Sequence, residues 1–395
     1  MRFCVVAMAV GLGALGAAYA AEPGPAAPDP FGLNNLGVKL TDEARYSEAE
    51  TAYRQALDEW AKRGETRETA HNRGIVQENL GSLLQITGRY DESEVLLTQA
   101  LVQFQATTGE SSPNVGGALE RLAVLYRVKG EFLKAESCAL GAEAMLPEPA
   151  RAGNRIILAS IYIEEARFAD ARRALEPAVA GAKGWFAVAV NAVMAAAALG
   201  EEKLEDAERL AGRALDLANV VLPPDDAALV SIWNTMGQVY RLQGRPVEAE
   251  SSYRKAIEIW TAAKGPAHPP AAYALRNFAA FEHDRGRDHA AEVLYQRAVA
   301  IFERTLGRDH LQTLISRNEL SEVYRAQGRY VAAGQLSRAT LPAIRELLPE
   351  SDPRVLRALA NYARLLDSTK RKADAGVVRK HIQLVTQAMV DRPAR

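Results

Sequence analysis

The sequence predicts an all-α solenoid of about nine helix-turn-helix repeats. Three observations support this fold class. A short Gly-Arg-aromatic segment recurs along the chain in altered forms, apolar residues precede the copies at helical spacing, and small residues seven positions apart follow most copies. Hydrophobic residues make up 48% of the 395 residues and charged residues 25%, which is typical of folded domains and excludes a largely disordered chain.

Residues 1–20 have the pattern of a secretory signal peptide. A basic residue precedes an apolar stretch over residues 3–18, and Ala18-Tyr19-Ala20 matches the A-x-A motif, so cleavage is predicted after Ala20. An uncleaved membrane anchor is the alternative. The Pro-rich residues 21–30 are predicted to form an extended spacer. We therefore expect an exported protein, either periplasmic or secreted.

The recurring segment defines an array over residues 31–389, followed by a tail at 390–395. We call the first residue of each copy its anchor. Successive anchors are 44, 42, 36, 36, 42, 42, 42 and 42 residues apart, a regularity that indicates internal repeats. The anchors are Ala44, Gly88, Gly130, Ala166, Glu202, Gly244, Gly286, Gly328 and Lys370.

Each anchor is predicted to lie in the turn between an A helix before it and a B helix after it. Glycine at five anchors ends the A helix and permits the left-handed conformation of a tight turn. A small residue such as Gly37 or Gly237 lies seven positions before the anchor, where it would allow the partner helix to approach closely. In the B helix, small residues at positions five and twelve after the anchor lie on one packing face.

Helix starts and core positions also follow the repeat. Ser112-Pro113 and Asp352-Pro353 predict capped helix starts, and Asp309 is predicted to cap another helix. The uncharged run over residues 185–199 is too short to cross a bilayer, and we interpret it as a buried helix. Aromatic residues sixteen positions after an anchor are predicted to pack in the core, namely Trp60, Phe104, Trp260 and Phe302.

These residues together resemble the tetratricopeptide repeat (TPR). The 42-residue units are more similar to the kinesin-light-chain-like subclass, with Leu33-Asn34-Asn35-Leu36-Gly37 in the first A helix and Leu306-Gly307-Arg308-Asp309-His310 in a linker. The resemblance implies a right-handed superhelix stabilised by stacking of neighbouring repeats. It also implies that A helices line a concave face and B helices a convex face.

The resemblance further implies a peptide-binding site on the concave face. Members of the family use asparagines nine or ten residues before the anchor to bond the backbone of an extended peptide, although such amides could instead tie neighbouring helices together. Arginines on the same face would favour an acidic peptide, unless each pairs with a carboxylate of its own array. The candidate residues are Asn34, Asn79, Asn234, Asn277, Asn318, Asn361, Arg127, Arg241, Arg276, Arg325 and Arg364.

The predicted function is therefore that of an exported scaffold that binds a protein partner and is not an enzyme. A net charge of −1 argues against nucleic acid, and no motif indicates a cofactor or, after signal cleavage, a membrane span. Cys138 would be the single cysteine after cleavage, which excludes an internal disulfide. Two alternatives are an envelope subunit that binds through its convex face and a metal-dependent enzyme that uses the turn from His283 to His289.

Overall fold

A computed structural model describes residues 29–43, 45–148, 150–179, 181–264 and 269–390, and in these ranges the chain forms eighteen α-helices and no strand. The predicted signal peptide, most of the spacer and the last five residues lie outside them. The helices alternate as the A and B helices of nine pairs, so odd numbers are A helices. The all-α solenoid predicted from the repeats is thus confirmed.

The chain divides into two compact units between residues 182 and 183. The amino-terminal unit contains α1 (Pro30–Asp42), α2 (Tyr46–Lys62), α3 (Arg67–Ile86), α4 (Tyr90–Thr108), α5 (Pro113–Lys129), α6 (Phe132–Met145), α7 (Ala150–Glu164) and α8 (Phe168–Val179). The carboxy-terminal unit contains α9 (Gly184–Gly200), α10 (Leu204–Val221), α11 (Ala227–Leu242), α12 (Pro246–Lys264), α13 (Pro269–Asp284), α14 (Asp288–Leu306), α15 (Leu311–Ala326), α16 (Tyr330–Leu347), α17 (Pro353–Ser368) and α18 (Lys372–Val390).

The anchors lie in left-handed turns between the helices of a pair, as predicted. Glycine anchors have φ between 72° and 81°, and the following N–H closes the turn, as when Arg89 donates to the Leu84 carbonyl at 2.8 Å. Three anchors have the same conformation without glycine, with φ of 60° at Ala166, 62° at Glu202 and 64° at Lys370. The anchor Ala44 lies outside the described residues.

Two of the three predicted helix caps are confirmed, and two helix starts differ from the prediction. The side chains of Ser112 and Asp352 accept backbone N–H groups of α5 and α17 at 3.3 and 2.8 Å. Helix α1 begins at Pro30, one residue inside the predicted spacer, because Asp29 caps it. The prediction for α15 was wrong: its cap is His310 rather than Asp309, since the imidazole Nδ1 accepts the Gln312 N–H at 3.1 Å.

Close approach within each pair explains the small residue seven positions before the anchor. A Cβ added to Gly237 would lie 2.7 Å from the Tyr253 ring, so only glycine leaves room for that ring. The predicted aromatic core is confirmed, because Trp60, Phe104, Trp260 and Phe302 are all buried. The uncharged run at 185–199 forms most of α9 and is largely buried, as predicted.

Candidate functional site

The A helices of the carboxy-terminal unit surround a cavity of about 510 Å³, which we call the groove. Its walls come from α9, α11, α13, α15 and α17, with Tyr295 of α14 behind them. Five of the residues predicted from the sequence line it, namely Arg241, Arg276, Asn277, Asn361 and Arg364. The groove is therefore where the structure brings the predicted site residues together.

The predicted asparagines form pairs that join successive A helices. Asn79 donates to Asn34 at 3.0 Å, Asn277 to Asn234 at 3.0 Å, and Asn361 to Asn318 at 2.8 Å. Each donor lies nine residues before its anchor, and each acceptor lies ten before the preceding anchor. We call such a contact a rung. The asparagines thus tie repeats together, which was the alternative considered for them, and four of the six are buried in the carboxy-terminal unit.

The arginines three residues before an anchor contact the next repeat in the same regular way. Arg241 Nε donates to Asp284 at 2.7 Å, and Arg325 Nη1 donates to Ser368 at 3.3 Å. In the amino-terminal unit Arg127 Nη1 donates to Glu164 at 2.8 Å, and both side chains are at most 7% exposed. Arg127 therefore forms a buried ion pair with Glu164 inside the amino-terminal unit, and it is not part of the groove surface.

Arg364 of the groove lining and Arg325 beside it share one carboxylate. Glu322 accepts two bonds from Arg325, at 2.9 and 3.0 Å, and one from Arg364 at 2.8 Å. The hydrogen bonds with Glu322 raise the pKa of Arg325, so it stays charged. Arg364 also donates to Asn361 at 2.6 Å, yet half of its side chain remains exposed. Arg364 is thus the most accessible of the predicted groove arginines.

Arg276 lies at the floor of the groove and is only 2% exposed. Its Nη1 donates to Gln312 at 2.8 Å, and its guanidinium lies over the rings of Tyr273 and Phe302, at 5.3 and 5.8 Å. Burial lowers the pKa of Arg276, and the charge of Glu319 offsets only part of that effect. The sequence pattern predicted Arg276 on the inward face but did not indicate this burial.

A third regular contact links B helices and was not predicted from the sequence. The arginine directly after an anchor pairs with the glutamate six residues after the preceding anchor. Four such pairs have N–O distances of 2.7 to 2.9 Å: Arg89–Glu50, Arg167–Glu136, Arg245–Glu208 and Arg329–Glu292. Its sequence signal is the arginine after the anchor together with the Ala-Glu dipeptide at positions five and six after the preceding anchor, because each supplies one partner of the pair. These pairs therefore link successive B helices within each unit.

The turn considered for a metal has a simpler arrangement. Nδ1 of His283 lies 2.5 Å from Asp288 Oδ1, and His283 also lines the groove. Over the ranges that the structure describes, no group of three His, Cys, Asp or Glu residues is placed to hold a metal ion. None of the described helices is both long and apolar enough to cross a membrane.

Comparisons with known proteins place this arrangement among repeat proteins. A secreted RxLR effector protein of Plasmopara halstedii, RXLR-C07, is 30% identical over 135 residues, which are 29% of this chain and 42% of the effector. The chain thus spans about two fifths of the length of that relative. A Rap protein complexed with Competence and Sporulation Factor is similar in fold, with a TM-score of 0.64 at 13% identity over 92% of this chain and 98% of Rap.

A putative kinesin light chain with nearly identical TPR-like repeats, from Podosopora anserina, aligns with a TM-score of 0.42 and 18% identity over 51% of this chain and 95% of that chain. The tetratricopeptide repeat model matches residues 72–148, 185–262, 229–293 and 270–346, which together exceed half of the chain. The matched ranges contain six of the described turns, at Gly88, Gly130, Glu202, Gly244, Gly286 and Gly328, and the rung between Asn234 and Asn277. This chain therefore belongs to the tetratricopeptide repeat family.

Proposed function

We propose that this protein is an exported scaffold that captures an extended, acidic peptide segment of a protein partner in the groove of its carboxy-terminal unit. The observation that supports this most is the groove itself. It offers about 510 Å³, which is the size of a small-ligand or peptide-segment site, and both polar and apolar side chains line it. The Rap structure of similar fold is a complex with a factor, which is consistent with a binding role here.

The charges of the groove favour a peptide with carboxylates. Four arginines line it, Arg241, Arg276, Arg357 and Arg364, against the three carboxylates of Asp284, Glu319 and Glu322. The lining thus has one positive charge in excess when His283 is neutral. A planar guanidinium can bind a carboxylate through two parallel hydrogen bonds. An acidic side chain therefore suits Arg241 and Arg364, which we call the arginines at the rim.

The arginines at the rim are paired within the array, but these pairs can be exchanged for contacts with a ligand. Asp284, which holds Arg241, is 50% exposed, and so is Arg364. Ion pairs as exposed as these contribute only about 0–1 kcal/mol. A peptide carboxylate that replaces one of these pairs therefore costs little free energy. The new ion pair is stronger than the one it replaces because the bound peptide excludes water from the groove.

A selection from a random dodecapeptide display library on the full-length protein tests this proposal. We expect the enriched peptides to be rich in Asp and Glu. Their affinity should fall about tenfold for each of Arg241→Gln and Arg364→Gln, since a charge-assisted hydrogen bond contributes about 1.5 kcal/mol. Neither substitution leaves a buried carboxylate without a partner. Asp284 is half exposed and stays solvated, and Glu322 keeps its ion pair with Arg325.

Arg209→Gln and Arg254→Gln are matched controls on the B helices. Both arginines are paired within their own helix and are more than 60% exposed, so their loss should leave peptide affinity unchanged. Equal losses from control and groove variants would indicate nonspecific charge attraction. Enriched peptides that bind the Arg241 and Arg364 variants as tightly as the wild type would place the binding surface elsewhere.

Export is the second part of the proposal and rests on the sequence of residues 1–20. The full-length gene should be expressed in a Gram-negative host, and the protein should be recovered separately from cytoplasm, periplasm and medium. We expect the exported form to begin at Ala21 in amino-terminal sequencing. A protein that keeps Met1 and remains in the cytoplasm would contradict the signal peptide.

One observation favours the convex face as a second candidate surface. The B helices α12, α14, α16 and α18 each carry a valine that is at least 55% exposed: Val247, Val293, Val331 and Val377. Exposed aliphatic residues that recur in this way can serve a subunit contact. Val247→Lys together with Val331→Lys should release the protein from an envelope complex isolated by size exclusion, while peptide selection by the groove would remain.

A further inference from the structure

One rung of the carboxy-terminal unit differs from its neighbours. Between α13 and α15 the rung positions are occupied by Arg276 and Glu319 instead of two asparagines. Their Nε and Oε2 atoms are 3.8 Å apart, which is beyond hydrogen-bond distance. Both atoms are buried and neither has a hydrogen-bond partner. The rungs on either side, Asn234–Asn277 and Asn318–Asn361, are closed at 3.0 and 2.8 Å.

A charged pair at this position does not by itself leave the rung open. In the amino-terminal unit the equivalent rung between α3 and α5 is Glu78 and Arg121, with the charges in the reverse order, and it closes with an Nε–Oε1 hydrogen bond of 3.4 Å. The open rung at Arg276 and Glu319 is therefore a property of that site. Unpaired buried polar atoms are costly, so such a pair is expected to have a partner in the working protein.

The atoms left free define the chemistry of that partner. Arg276 already uses Nη1 on Gln312, and Glu319 already receives Arg357 Nη1 at Oε1, at 3.3 Å. The open rung therefore offers one N–H donor and one carboxylate acceptor side by side, and both residues line the groove. A second carboxylate would be repelled by Glu319, and a cation would be repelled by Arg276.

A primary carboxamide matches this pair better than a backbone peptide group does. Its C=O and one of its N–H bonds point to the same side, so the oxygen can accept from Arg276 while the nitrogen donates to Glu319. In a trans peptide bond the C=O and N–H point to opposite sides, so one backbone group cannot bond both atoms at once. The side chains with this group are those of Asn and Gln.

We propose that the open rung of Arg276 and Glu319 recognises the carboxamide of one Asn or Gln in the peptide held by the groove, an inference that rests on the proposed function. The bound carboxamide completes the rung between α13 and α15 as the asparagines complete the neighbouring ones. Arg357, whose side chain is 34% exposed and bonds Glu319, is the neighbour that moves to admit it. The rim arginines then select acidic residues on either side.

The peptides enriched by the full-length protein provide the probe. Each is synthesised in three forms that differ only at the shared Asn or Gln: the parent, the acidic form (Asp or Glu) and an Ala form. We expect the wild-type protein to bind the parent at least tenfold more tightly than the acidic form. Glu319→Gln should abolish this preference, because a glutamine can donate to the carboxylate that Glu319 repels. Glu78→Gln, at the equivalent amino-terminal rung, should leave the preference intact.

A measurement on the wild type covers the case in which Glu319→Gln does not fold. The Arg276 Nε–H signal in a ¹⁵N-resolved spectrum should shift on addition of the parent peptide and should not shift with the acidic form. Peptides that bind with no preference for Asn or Gln, or a signal that stays unchanged, would overturn the inference and leave the groove function standing. A selection that enriches no peptide would overturn both.

Discussion

Ala166 occupies a left-handed turn in which five other repeats have glycine, and this predicts a stabilising substitution. Its φ of 60° brings Cβ close to the following carbonyl oxygen, which costs an L-residue about 1–2 kcal/mol. Ala166→Gly removes that strain, but the greater conformational entropy of glycine in the unfolded chain destabilises the fold by about 0.5–1 kcal/mol. The free energy of unfolding should therefore rise by about 0.5–1 kcal/mol. It is measured by urea unfolding followed by far-ultraviolet circular dichroism, as a higher midpoint with an unchanged dependence of the free energy on urea concentration.

Two glycines provide matched controls, because a Cβ added to either of them meets no atom within 4 Å. Gly286 has a φ of 72°, so Gly286→Ala should destabilise the protein by about 1 kcal/mol. Gly212 lies inside α10, where Gly212→Ala should stabilise it by about 1 kcal/mol through helix propensity. If Ala166→Gly lowered stability, or if both controls changed it in the same direction, backbone strain would not be the determinant of the anchor residue.

Three further predictions concern packing, charge and pH. Gly237→Ala should destabilise by about 1–3 kcal/mol in thermal unfolding, because the new methyl would lie 2.7 Å from the buried Tyr253 ring. Arg127→Gln should cost about 3–5 kcal/mol in the same assay, since it removes the cation of the buried ion pair between Arg127 and Glu164. Burial raises the pKa of Glu120, so its contribution to stability is full below the unfolded value of about 4.3 and is lost as the pH rises through the folded value. Glu120→Gln should therefore raise the urea midpoint at pH 7 and leave it unchanged near pH 3.5.

The fold could be predicted closely from the sequence because the residues that determine each repeat interact with near neighbours in the chain. Turn residues such as Gly88, caps such as Ser112 and core aromatics such as Trp260 depend on neighbours within a few turns of helix, so periodicity alone locates them. The one wrong cap, at α15, depended on whether Asp309 or His310 lies next to the first free N–H group. That difference of one residue is set by the loop geometry and not by the pattern.

The sequence predicted the candidate site less completely because its contacts join different repeats. The asparagines were correctly placed on one face, but Asn277 bonds Asn234 across 43 positions, and only the stacking of α11 on α13 reveals that pairing. Arg127 was placed with Arg241 from its position before the anchor. The structure gives it the equivalent contact to the next repeat, and the acid two residues before the next anchor, Glu164 or Asp284, was the available signal.

These contacts suggest how an array of similar repeats can acquire a specific site. Arg245 and Glu208, which recur at the same repeat positions outside the groove, are used by the stacking itself and have little left to offer a ligand. Selectivity for an uncharged group should then reside where one repeat differs from its neighbours, as at the open rung of Arg276 and Glu319. An Arg276→Asn, Glu319→Asn double variant would give this rung the same two asparagines as the rungs on either side. We expect it to stabilise the array, because a closed amide pair would replace two unpaired buried atoms, and to abolish selection of peptides that carry Asn or Gln.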